Sequence, residues 1–169
     1  MTNISINSSA KTVAAKQNHY AHLQEGQQNW FPIRNDNSDV HFINGFKYWV
    51  CVLGEHTNYY AIAGSDPKKG NYLKTQIIHE GSKENTMNNG YRFFKERATS
   101  PSEYINAPWK SQPPTKAQLN CIEKLRPKYE LQNLTKGDAS NIMSFEFQSK
   151  QEIQKLLNIS HVKDKHFRV

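Results

Sequence analysis

Lysine, arginine and aromatic side chains interleave at several places in this chain, a mixture suited to a polyanion with exposed bases. Lys68, Lys69, Tyr72 and Lys74 surround one turn, Arg92, Lys95 and Arg97 fall within one helix, and Lys124, Arg126, Lys128 and Lys136 border two further helices. Ammonium and guanidinium groups release condensed counterions on contacting phosphates, and a tyrosine ring can stack on a base. Tyr72 and Lys74 share a strand face, and the first amides of the helix at Lys136 add donors and a favourable dipole for a phosphate. The same residues also read as solvated faces, because Glu96, Glu123 and Asp138 are interspersed among them.

Other chemistries find less to work with. His19 and His22 are the close pair at helical spacing, with no second pair of His, Cys or carboxylates at ligand spacing, so no metal and no cofactor is expected. A nucleophile needs an adjacent base, and the chain has no Gly-x-Ser-x-Gly elbow. His79 and Glu80 are neighbours on a strand and point to opposite faces. Gly64 to Gly70 carries Lys68 and Lys69 but lacks the Gly-Lys-Ser/Thr ending of a phosphate loop. No catalytic residue is assigned, and the expectation is a non-enzyme without a small-molecule substrate. Convergence of His41, His56 and His79 would raise an enzymatic reading.

Charge is distributed unevenly. The 169 residues carry a net charge of +7, with a pI near 9.4. Residues 1 to 60 are balanced, with four basic and four acidic residues, so the whole excess lies beyond them. A basic surface calls for an acidic partner, of which nucleic acid is the commonest. Aromatics make up 11% of the chain and supply much of the apolar volume. Cys51 and Cys121 fall in a strand pattern and on a helix stripe, where buried free thiols are expected rather than a disulfide. No apolar leader or membrane-length run is visible, so a cytoplasmic location and no membrane partner are expected.

The elements that must position these groups follow from periodicity. Residues 1–27 are polar or weakly helical, with a thin stripe over 9–25. From Trp30 the pattern is that of strands: Trp30 to Ile33, Val40 to Ile43, Phe46 to Leu53, Tyr59 to Ala63 and Tyr72 to His79. Asn44-Gly45 predicts a type I′ hairpin turn, and the second arm, apolar on both faces, predicts a central strand. Ser82 caps a helix that buries Met87, Tyr91, Phe94 and Ala98, weakened locally by Gly90. Residues 99–114 hold four prolines and read as irregular, with a linker placed at 101–112.

Thr115 to Ile142 forms a more complete module. Thr115 with Gln118 and Thr135 with Asp138 are capping boxes, and Leu119, Ile122 and Leu125, then Ala139, Ile142 and Met143, are apolar stripes. Ser149 with Glu152 repeats the box before Ile153, Leu156 and Leu157, a helix expected to cover the first two. The T-x-x-Q start and the L-T-K-x-D-A-S run at Leu134 to Ser140 resemble a helix, extended loop, helix module of phage, plasmid and bacterial DNA-processing proteins. The layout is similar to SAP-type DNA-binding folds, which implies a nucleic-acid contact at the start of the second helix and an origin in phage or mobile elements.

The expected class is α+β: an antiparallel β-rich domain with a helix over residues 28–100, a linker over 101–112, a helical module over 113–158 and a basic tail over 159–169. The leading functional expectation is a small non-enzymatic nucleic-acid-binding protein, with DNA the favoured ligand. The alternative is an inhibitor or adaptor that occludes a nucleic-acid-handling host protein.

Overall fold

The computed structural model describes residues 30–33, 39–45, 47–55, 57–66, 68, 70, 73–98, 100, 107–126 and 131–159. The helix expected over 9–25, the first half of the linker (101–106), the basic tail beyond Ile159, and Lys69, Tyr72 and Lys128 lie outside the described residues. Five antiparallel strands form one sheet in sequence order: β1 (Phe31–Ile33), β2 (Asp39–Asn44), β3 (Tyr48–Glu55), β4 (Asn58–Ser65) and β5 (Gln76–Gly81). Helix α1 (Lys83–Arg97) follows, then a short 3-10 turn (Pro108–Ser111), α2 (Lys116–Leu125) and α3 (Lys136–Ser144). A π-helical segment (Phe145–Ser149) joins α3 directly to α4 (Lys150–Ile159). The class is α+β, with the sheet first and the helices after it.

The two-faced pattern of β3 decides the layering. Val50 and Val52 point to one face, where Met87 and Phe94 of α1 cover them. Trp49, Cys51 and Leu53 point to the other, where Phe145, Ile153 and Leu157 cover them. Helices on both faces leave β3 dry, as its continuous apolar run requires. Trp49 and Phe42 stack at 6.1 Å, and the Phe145 ring meets Phe42 edge-on at 5.5 Å. Burial pushes the Cys51 thiol far up, and neither cysteine is in a disulfide. Close approach of α1 depends on Gly90, whose added Cβ would lie 3.1 Å from Trp30 and 3.2 Å from Val50. The residue that weakens the helix is therefore what lets it dock.

Several expectations need correction. The β2–β3 hairpin is present, but Asn44-Gly45 is not its turn: Asn44 pairs with Trp49, and the Gly45 N–H donates to the Tyr48 carbonyl at 2.8 Å. Gly45 does not adopt positive φ; it is small because a Cβ would come within 2.9 Å of the Phe94 ring. Strand β5 starts at Gln76, not Tyr72, because Ser65 Oγ both donates to Leu73 O (3.0 Å) and accepts from its N–H (2.9 Å), holding that stretch in the turn. Pro108 to Ser111 is regular after all, with Pro108 at a position whose N–H needs no partner. Ser149 caps nothing: it is fully buried, and its hydroxyl donates to Ser144 O five residues back at 3.5 Å, so the helix continues in π geometry. Helix α4 packs its Ile153 and Leu157 on the sheet, whereas Ile122, Ala139 and Ile142 of α2 and α3 form a separate cluster beside Phe31. No helix among the described residues is long and apolar enough to cross a membrane.

Candidate nucleic-acid interface

Strand direction sorts the polar residues to two ends of the sheet. Asn44, the start of β3, the end of β4 and the start of β5 lie at one end, because each strand pairs antiparallel with the next. Helix α1 leaves β5 at the opposite end and returns, so that Phe94 reaches Gly45. The 3-10 turn joins the first end through Lys110 Nζ, which donates to Asn44 O at 3.4 Å, and α3 joins it through Asn141 Oδ1, which accepts the Asn44 N–H at 3.1 Å.

This first end is basic. Lys68 and Lys74 flank the β4–β5 turn, Lys95 lies in the returning half of α1, and Lys136 opens α3. Lys68, Lys74 and Lys95 are exposed, and none of the four makes an ion pair among the described residues. Asp66, 4% exposed, accepts from the Lys68 N–H (2.9 Å) and Gln148 Nε2 (2.8 Å) rather than from any of the four ammonium groups. Arg97 belongs to the same end: its guanidinium lies 3.6 Å from the Phe93 ring centroid, a cation stacked on an aromatic face. Lys110, absent from the residues singled out by sequence, also lies here, and only its distant partners Asn44 and Gly137 reveal it.

The remaining basic candidates are elsewhere or otherwise engaged. Arg92 is exposed beside Glu96, 3.9 Å away. Arg126 binds Glu146 through two nitrogens, its Nε donating at 2.6 Å, and both side chains are less than one-fifth exposed. Helices α2 and α3 run in the same sense, since Gln112 meets Lys136 at one end and Arg126 meets Glu146 at the other. Lys124 therefore sits at the opposite end of that pair from Lys136. The α3 start offers fewer amides than a bare helix terminus: the Lys136 N–H donates to Gln112 O at 2.7 Å, and the Asp138 N–H donates to Thr135 Oγ1 at 3.1 Å.

The other end of the sheet holds the densest set of titratable groups. Asp39 accepts from the Tyr59 hydroxyl at 3.1 Å and from Lys83 Nζ, and His41 Nε2 lies 2.8 Å from its second oxygen without hydrogen-bond alignment. Burial raises the Asp39 carboxyl, but the Lys83 bond and the His41 and Lys83 charges outweigh it and hold it below its usual range. Burial lowers His41 more strongly than Asp39 raises it, and burial beside Asp39 pushes the Tyr59 hydroxyl up. These groups answer one another and tie β2, β4 and α1 together. His41 and His79 occupy one row through Val52 and Ala61, three strand spacings or about 14 Å apart, and His56 lies outside the described residues. His41 and His79 do not form a cluster. Among the described residues no group of three His, Cys, Asp or Glu could hold a metal.

A family model described as the C-terminal domain of the mitochondrial helicase Irc3 matches residues 10–166, sheet and helices together. No curated protein and no solved structure matches the chain. The compartment in the family description is the mitochondrion, where the sequence reading expects the cytoplasm. With 157 of its 169 residues inside the match, the chain belongs to the Irc3 C-terminal domain family.

Proposed function

We propose that this protein is a non-catalytic nucleic-acid-binding module, favouring DNA, that serves a helicase. The observation that carries the reading is the basic end of the sheet, where Lys68 and Lys74 of the β4–β5 connection, Lys95 of α1 and Lys136 of α3 come from three different elements and none is paired with a carboxylate of the described residues. Unpaired ammonium groups on a rigid scaffold contact phosphates without first breaking an ion pair. The family description supports the reading because it names a helicase, an enzyme class that works on nucleic acid. The likeness of residues 115 to 142 to SAP-type modules points the same way.

A binding titration against DNA over a range of salt tests it. Affinity should fall linearly with log salt, and replacing Lys68, Lys74, Lys95 and Lys136 by Ala should reduce the slope by about 0.9 for each phosphate no longer neutralised. Lys155, paired with Glu152 on α4, serves as the control that should change nothing. Absence of binding at low salt would sink the proposal, and a protein complex that survives nuclease treatment would favour an occluding role instead.

A further inference from the structure

A cleft of about 310 Å³ opens at the basic end, between the sheet and the start of α3. Trp30 and Phe31 form an apolar wall, and Asn44, Asp138 and Asn141 line the polar side. The volume lies at the small end of ligand cavities, which run from roughly 300 to 1,000 Å³, and suits one base with its sugar rather than a duplex.

Hydrogen bonding fixes what the polar side presents. Asn141 Oδ1 accepts the Asn44 N–H at 3.1 Å, which sets the orientation of the amide and leaves Nδ2 without a partner among the described residues. Asn44 Nδ2 donates to Ser140 Oγ at 3.3 Å, which leaves Oδ1 as an open acceptor. Asp138 turns Oδ2 to the Thr135 N–H (2.9 Å) and hydroxyl (2.8 Å), which leaves its Oδ1 open too. None of these three atoms is among the buried unpartnered ones, so solvent or a ligand reaches them. Trp30, only 7% exposed, has an indole N–H with no partner among the described residues.

A fixed donor beside two acceptors and an aromatic wall complements the edge and face of a nucleobase. A phosphate fits poorly here, because Asp138 is anionic and the Lys136 and Asp138 amides are already bonded. We propose that this cleft receives one unstacked base from single-stranded nucleic acid, whose phosphates lie on the surrounding lysines. The proposal rests on the nucleic-acid reading of the basic end.

The test compares the full chain's affinity for a short single-stranded oligonucleotide with that for an abasic sugar-phosphate strand of equal length. Equal charge isolates the base, and the base-bearing strand should bind about tenfold more tightly. Ser111→Trp fills the cleft from its exposed rim and should bring the two affinities together while leaving the abasic strand's unchanged. Asn141→Asp keeps the acceptor for Asn44 and removes the donor, so the preference should also fall there, whether or not the bulkier variant folds. Equal affinities in the unaltered protein overturn the proposal. So does a preference that persists in Asn141→Asp or in a folded Ser111→Trp. If neither strand binds, the nucleic-acid reading itself fails.

Discussion

The two ends of the sheet carry similar residues and use them oppositely. At the α1 start, Asp39 accepts from Tyr59 and Lys83 and lies 2.8 Å from His41 Nε2, so the charges of these groups answer one another although His41 Nε2 makes no aligned hydrogen bond. At the α1 end, Lys68, Lys74, Lys95 and Lys136 have no carboxylate partner among the described residues, and the side chains of Asn44, Asp138 and Asn141 each keep one polar atom open. A closed network stabilises and has little to offer a ligand; an open one is available for contact at some cost in self-repulsion. A dense group of titratable residues is thus a poorer guide to the binding surface than groups left without partners.

Both ends hang on one core, and removing part of it should have the largest effect. Phe145→Ala takes the ring from between Phe42 and the helical layer and should cost about 3–5 kcal/mol, read by urea unfolding as one transition followed at both ends. Two separate transitions would break the comparison, because the ends would then belong to independently folding parts. Arg126→Met should cost less, about 1–3 kcal/mol, by leaving the shielded Glu146 carboxylate short of its main partner. Its salt dependence of DNA binding should not change, and a reduced slope would place Arg126 in the interface after all.

The smallest effect belongs to the closed end and appears as pH dependence. Folded His41 holds its proton less strongly than in the unfolded chain, so the unfolded state binds more protons as pH falls below about 6.5 and stability declines. Asp39 acts in the same direction at lower pH, its folded carboxyl lying below the usual 3.8 so that its contribution is lost as it protonates. His41→Gln should flatten the melting temperature between pH 7 and 5, the pH range of ordinary histidine titration. An unchanged profile would remove His41 from the network.

How far the sequence reaches differs by region. The helix caps were legible because each is a local exchange of hydrogen bonds: Thr115 with Gln118, Thr135 with Asp138 and Ser82 with Asn85 form as their spacing predicts. The buried side of α1 was legible too, from the recurrence of Met87 and Phe94. Asn44-Gly45 misled, because a dipeptide that favours a turn was carried through the ladder by its pairing with Trp49 and Tyr48. Ser149 misled for a similar reason, since a capping pattern has no force once the residue is enclosed in a continuing helix.

Composition and periodicity by themselves determined the class of structure, the central two-faced strand and the excess of positive charge, because each depends on residues close in sequence. Tertiary structure alone decided which cations remain unpaired and which polar atoms meet in a cleft. Arg126 finds Glu146 twenty residues on, and Asn44 finds Asn141 ninety-seven residues on. Nothing in the local pattern of either residue fixes a partner at that distance; only packing of the helices against the sheet brings them together.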